Sequence, residues 1–249
     1  MKPRSFGLLD KEGKRVDGRG PNDLRPVRIE CGIIKRADGS TLFEQGKTKV
    51  IAAVYGPRGV VPKHQEIPNR ALLRCRYSML PFSTEERKQP APTRREIELS
   101  RVVREALEAS IFTEKYPRTE IAVYVEVLNA DAGTRCAAIS AGSVALANAG
   151  IALRDLVSSC AVGKVEGKLV LDPCGEEDNY GEADLAVAMM PQFNEMTLLQ
   201  LDGKLTREEL NHGMEMAFEA SRKIYVKQME ALKDQYVRVS EAVGGGKVE

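Results

Sequence analysis

Histidine is scarce in this 249-residue chain, and paired cysteine motifs and long apolar runs are missing from it. Its two histidines are His64 and His212. A Ser-His-Asp triad or a multi-histidine metal centre would have to rest on one of them, so both chemistries fit poorly. The five cysteines, Cys31, Cys75, Cys136, Cys160 and Cys174, are scattered, odd in number and form no CxxC. Reduced thiols in a cytoplasm are expected, not disulfides or structural zinc. No apolar stretch nears the roughly 20 residues that span a bilayer, and Met1-Lys2-Pro3-Arg4-Ser5 leads into no apolar segment, so neither a membrane anchor nor a signal peptide is expected. GxxxxGK[ST] and GxGxxG are both missing. Excess charge is missing too: 37 Lys and Arg against 36 Asp and Glu leave +1. A polyanion would therefore be met by a local patch, or jointly with partner chains.

What is present is an ordinary globular composition, 43% hydrophobic and 29% charged, in a chain long enough to bury a full core. One stretch organises it: Asp131-Ala132-Gly133-Thr134-Arg135-Cys136. Ile121, Val123, Val125 and Val127 alternate into it as on a strand, and Ala137, Ala138, Ile139, Ala141, Val144 and Ala145 leave it as on a helix. A strand-to-helix turn exposes unpaired N–H groups carrying roughly +0.5 of charge, which invites an anion. Arg135 in that first turn opposes the helix dipole unless a phosphate compensates it. The alternative is a Thr134 N-cap followed by a solvated arginine. Cys136 reads as an activated thiol at a helix start or as a small buried residue.

Residues 1–14 read as a polar arm. Arg15-Val16-Asp17-Gly18-Arg19 and Arg25 add positive charge in a turn-rich segment that reads equally as a surface loop. Val27–Cys31, Leu42–Gln45 and Lys49–Tyr55 form an antiparallel meander around Asp38-Gly39. Gly56 to Pro68 is too rich in Gly and Pro for regular structure, and its Lys63 and His64 suit an RNA backbone or a solvated loop. Leu73, Cys75, Tyr77 and Met79 form one strand face, with Arg74 and Arg76 side by side on the other. Thr93-Arg94-Arg95-Glu96 is a capping box opening a helix. Arg94 and Arg95 repeat the anomaly of Arg135, cations where Asp or Glu belongs, and three of them suggest a bound polyanion. Small residues make the helix from Thr134 central. A hairpin follows around Glu166-Gly167.

Cys174 to Asp184 is an acidic loop, and Asp184 starts a strand with small neighbours. The spacing is not that of an EF-hand. Two carboxylates about 4 Å apart repel by about 4 kcal/mol at an effective dielectric of 20, and need a metal or a raised pKa. Mg²⁺ suits one or two carboxylates plus phosphate oxygens. The alternative is an exposed acidic hairpin. Leu198–Leu201 is the last strand, Asp202-Gly203 its turn, and Thr206-Arg207-Glu208-Glu209 opens a capping-box helix, with a loose tail over 241–249. Arginines, an anion turn and an acidic pair converge on attack at phosphorus. Without an obvious protein nucleophile the attacker is water or inorganic phosphate, and a dedicated anion pocket favours phosphate.

Arg15-Val16-Asp17-Gly18-Arg19, Leu24-Arg25-Pro26, Arg94-Arg95-Glu96-Ile97-Glu98-Leu99-Ser100-Arg101, Gly133-Thr134-Arg135 and the Asp178/Asp184 pair together resemble the RNase PH family over nearly the whole chain, in order. The resemblance is nearest to the catalytic RNase PH-like subunits of archaeal exosomes. It implies an α+β, single RNase PH-like domain (ribosomal protein S5 domain 2-like) over 15–240, in two similar halves, about 15–150 and 151–240. It implies a hexameric ring of three such chains and three non-catalytic paralogues, with RNA-binding caps above. RNA would be shortened from its 3′ end by phosphate, releasing nucleoside diphosphates, reversibly with tailing. Carried onto this chain, Gly133, Thr134, Arg135 and Cys136 hold phosphate, and Arg94 and Arg95 grip the RNA end. Asp178 and Asp184 bind Mg²⁺ or Mn²⁺ with Glu182 assisting, and Asp184 doubles as general acid. The family often has Ser or Ala where this chain has Cys136, which the backbone N–H tolerates. The rival readings are a non-catalytic RNA-binding ring subunit, a tRNA 3′-end processing enzyme of the RNase PH type, and a hydrolytic nuclease.

Overall fold

The computed structural model describes Leu8 and residues 15–244. The expected arm, 1–14, therefore lies outside the described residues except for Leu8, which is buried beside Val165 and Val170 and whose N–H donates to Glu166 Oε1 at 2.7 Å.

The meander forms as its alternation predicts: β1 (Val27–Cys31), β2 (Gly39–Gln45) and β3 (Thr48–Gly59), all antiparallel. β3 runs four residues past the point where Gly56 and Pro57 suggested a loop. A register shift between Tyr55 and Arg58 takes up both residues, and Arg58 then pairs with Glu120. A bulge needs no ladder donor at that place, so a proline is tolerated. Lys63–Gln65 add a 3₁₀ turn within the expected loop. β4 (Leu72–Met79) lies parallel to β5 (Thr119–Asn129), joined through α1 (Arg94–Glu108), giving the order β1-β2-β3-β5-β4.

The capping box of α1 is present, with Thr93 as N-cap and Glu96 reaching back. Glu96 is buried and also accepts from Lys88 Nζ at 2.8 Å and from the Met79 N–H at 2.9 Å. Burial alone would raise its carboxyl pKa, but these donors together bring it from 4.5 down to about 2. A folded-state pKa below the unfolded one contributes stability above pH 4.5 and loses it as pH falls through about 2. Glu96→Gln is expected to cost on the order of 2 kcal/mol at pH 7. It should also flatten the acid dependence of unfolding, as urea titrations at pH 7 and pH 3 will read. A variant as acid-sensitive as the parent would contradict this account.

β5 feeds α2 (Thr134–Asn148), which is apolar on every side and lies between both sheets, as such a helix must. Gly142 permits the approach of α1: a Cβ there would meet Leu107 Cδ1 at 2.8 Å. The second sheet is antiparallel in the order β7-β6-β8-β9, from β6 (Ser158–Val165), β7 (Lys168–Leu171), β8 (Ala183–Met190) and β9 (Glu195–Gly203). Glu166 and Gly167 make the β6–β7 turn, both with positive φ. One core cluster runs from Phe43 and Val125 through Ile139 to Val187 and Ile224, so the two sheets share a single interior.

Three expectations change in this second part. The acidic loop contains a short helix, α3 (Gly175–Tyr180). Asp202 and Gly203 close no turn but extend β9, with Asp202 paired across from Asp184. The last helix, α4 (Arg207–Gly244), opens on the Thr206–Glu209 capping box and takes in the first four residues of the expected tail. No proline occurs between Arg207 and the glycine run at 244, and the rest of the tail lies outside the described residues. Among the described residues no helix is long and apolar enough to cross a membrane.

Candidate active site

The site forms where β5 ends and α2 begins, opposite α3 and the start of β8. Ala132 and Gly133 both take left-handed conformations, with φ of 58° and 64°. Gly133, not Thr134, is the N-cap, and it makes no side-chain cap bond. Thr134 is the first helical residue, and its Oγ1 accepts from the buried Tyr77 hydroxyl at 2.9 Å.

The turn is tied from behind by buried side chains, two of them, Arg15 and Arg25, from the segment that reads equally as a surface loop. Arg25, only 5% exposed, grips Asp172 through Nε (3.0 Å) and Nη2 (2.6 Å), and its Nη1 donates to the Asp131 carbonyl. Thr48 Oγ1 donates to the Ala132 carbonyl at 2.8 Å and accepts from the Asp131 N–H at 3.1 Å. Asp131 Oδ1 in turn accepts from the N–H of Gly175, at the start of α3. Arg15, 3% exposed, holds the same short helix through Glu177, with Nε at 2.8 Å from Oε1. Asp172 and Glu177 stand about 150 residues from their arginines, so no local pattern announces these pairs. A buried ion pair is costly to break, and these two fix both walls of the cleft.

Between those walls lies a cleft of about 530 Å³, lined by Arg95, Gly133 to Cys136, Asp178 and Asp184. Glu85 and Glu86 reach its edge. An adjoining cleft of about 630 Å³ shares Arg95, Arg135 and both aspartates, and adds Glu182, Gln200 and Asp202. Three polar atoms in these walls are buried without a hydrogen-bond partner among the described residues: Arg135 Nε, Asp184 Oδ1 and Gln200 Oε1. Burial raises the Asp184 carboxyl from 3.8 to about 6, with the Asp178 charge adding to it and Arg135 opposing it. Burial also raises Asp178, partly offset by Arg95 and Arg135. Two carboxylates that resist ionisation together, one with an orphaned oxygen, are a donor set that a divalent cation relieves. Among the described residues no cluster of three or more His, Cys, Asp or Glu side chains is placed to hold a metal. The pair suits a cation that completes its shell with water and phosphate oxygens.

The other side chains singled out in the sequence divide. Cys136 is buried against Ala161 and Ala186, and burial pushes its thiol up to about 12, so it is packing and not an activated nucleophile. Glu182 Oε1 accepts from the Gly167 N–H at 2.8 Å, turning toward the β6–β7 turn. Arg94 is exposed and lines neither cleft. Arg74 pairs with Glu120 at 3.0 Å and with Gln65, and Arg76 lies exposed beside it. Lys63 and His64 are exposed on the 3₁₀ turn. None of these four reaches the clefts. Asp202 is the acidic wall residue that the sequence reading missed. Its period-two relation to Gln200, with Leu201 on the opposite face, was the available signal, masked by the Asp-Gly dipeptide.

A two-sheet α+β domain with an arginine-bearing strand-to-helix turn facing a carboxylate pair is the class of protein that fold and site define. Residues 23–152 match the model for domain 1 of the 3′ exoribonuclease family (RNase PH) and residues 155–220 match that for domain 2, so the chain belongs to this family. It is 55% identical over 245 residues to a Thermococcus onnurineus protein named exosome complex component Rrp41, with 98% of each chain covered. It is equally 55% identical, over 236 residues, to the protein of that name from Methanopyrus kandleri, covering 95% of this chain and 99% of the other. Among solved structures, rice Rrp46 superposes with a TM-score of 0.79 at 26% identity, covering 88% of this chain and 100% of that one. A chain from a structure titled Archaeoglobus fulgidus exosome with RNA bound to the active site gives 0.77 at 24% identity, covering 87% and 93%, a likeness of fold.

Proposed function

We propose that this chain is the catalytic subunit of an archaeal exosome, a phosphate-dependent 3′-to-5′ exoribonuclease of the cytoplasm that releases nucleoside diphosphates. The observation that carries this reading is the Arg135 guanidinium, with its buried Nε unpartnered beside the anion turn, across one cleft from Asp178 and Asp184. Inorganic phosphate sits on the N–H groups of the turn, on Thr134 Oγ1 and on Arg135. Arg95 holds the last phosphodiester of the RNA. A phosphate oxygen attacks the terminal phosphorus, the bond to the 3′ oxygen breaks, and that oxygen takes a proton. Asp184, held at about 6, is the group placed to supply it. Asp178 and Asp184 would hold Mg²⁺ or Mn²⁺, which supplies charge compensation for the transferring phosphoryl group when bound. The protein contributes orientation and fixed positive charge, the main terms in phosphoryl transfer. With excess diphosphate the same steps run backwards and add a tail.

The high identity to Rrp41 proteins over full length supports assembly with a non-catalytic paralogue into a ring of three heterodimers, topped by RNA-binding caps. Arg94, Arg74, Arg76, Lys63 and His64 then lie along the path by which RNA reaches the cleft. The near-neutral charge fits a groove shared with a partner. The test is phosphate dependence. Labelled RNA with the assembled ring is expected to yield nucleoside diphosphates with inorganic phosphate and to stay intact without it. Monophosphates released at the same rate in phosphate-free buffer would overturn phosphorolysis in favour of a hydrolytic nuclease.

A further inference from the structure

Arg25 and Thr48 stand behind the anion turn, outside the cleft lining, in a position to decide which way its peptides face. This inference rests on the reading of that turn as the phosphate site. A trans peptide is planar, so a carbonyl held on one side sends the N–H of the following residue to the other. The Asp131 carbonyl is taken by Arg25 and the Ala132 carbonyl by Thr48. Those two peptides carry the N–H groups of Ala132 and Gly133, which consequently face the cleft. Neither N–H meets an acceptor among the described residues.

The conformation needs such ties. Two successive left-handed residues, one of them an alanine, are unfavourable by about 1–2 kcal/mol and persist only where the surroundings enforce them. Arg25 is itself immobile. Asp172 receives its Nε, its Nη2 and its backbone N–H, while the Asp172 carbonyl receives Arg15 and Arg19. The fit is tight as well: a Cβ on Gly133 would meet Arg25 Nη2 at 3.1 Å.

We propose that Arg25 and Thr48 are the positioning residues of the phosphate turn, setting the affinity for inorganic phosphate without touching it. Thr48→Val keeps the side-chain shape and removes the hydroxyl. The full chain is assayed with the partner chains that give the wild type its activity, with inorganic phosphate as the varied substrate. The expected result is a KM for phosphate raised at least about ten-fold, kcat within about three-fold and RNA affinity unchanged. Thr48→Ser should restore the wild-type KM. A folded Thr48→Val with unchanged phosphate KM overturns the proposal, as does a Thr48→Ser as impaired as the valine. Should Thr48→Val fail to fold, Arg25→Lys gives the same reading, because it keeps the charge beside Asp172 and loses the fork to Asp131. An unchanged KM there is equally fatal. A wild type that ignores phosphate would instead sink the phosphorolytic reading itself, so the two failures are distinguishable.

Discussion

Asp184→Asn is expected to lower turnover by about a thousand-fold or more while RNA binding stays within about two-fold. Asp184 Oδ1 is buried and makes no hydrogen bond among the described residues. Its neighbour Asp178 adds a like charge, and burial disfavours ionisation of both. An asparagine keeps the shape, removes the negative charge and turns an NH₂ donor toward the place where a cation and the leaving oxygen belong. No protein partner is lost, and a carboxylate repulsion is relieved. The melting temperature of the variant should therefore match or exceed that of the wild type, the usual sign of a group kept for function at the expense of stability. Diphosphate release at saturating phosphate, RNA retention in a gel shift and a thermal melt read the three quantities. Turnover within ten-fold of wild type would remove Asp184 from both of its assigned roles.

Arg135→Gln is expected to lower kcat/KM for phosphate by about 10²–10³. The guanidinium stands in the first turn of α2, where it opposes the helix dipole and where its Nε has no acceptor among the described residues. On the proposed function, an arginine in that place serves a bound anion. Two readouts separate this from a structural role. Inorganic phosphate should raise the melting temperature of the wild type through linkage and leave that of Arg135→Gln unmoved. Without phosphate, the variant should be no less stable than the wild type. If Arg135→Gln instead kept its phosphate KM and lost RNA retention, the anion and RNA roles of Arg135 and Arg95 would be exchanged.

Much of the scaffold was legible because it is written locally. The alternation of Ile121, Val123, Val125 and Val127 specifies a half-turn per residue, and all four are buried on one face of β5. Thr93 with Glu96 and Thr206 with Glu209 are three residues apart, so a capping box can be read without knowing what surrounds it. Local pattern misled where turn chemistry stood in for tertiary context. Gly56 and Pro57 sit in a bulge of β3, and Asp202-Gly203 closes a strand and not a hairpin. Thr134 looked like a cap because threonine caps helices, yet Gly133 took that place since the turn required a left-handed residue there.

Charge was the least legible property of all. Arg15 and Arg25 lie in a segment that reads equally as a surface loop, and both are buried in ion pairs with residues about 150 positions away. Arg94 and Arg95 are adjacent and alike in sequence, but the helix turns by about 100° between them, and Arg95 alone enters the cleft. By itself the sequence determined the strands, the helices, the strand-to-helix turn at Gly133 and the pair of aspartates, since each is encoded by residues within a few positions of one another. Only the tertiary structure decided which charges face the cleft and which are sealed behind it. Burial of a side chain depends on what packs over it, and here the covering residues come from elements that the chain lays down about 150 positions away.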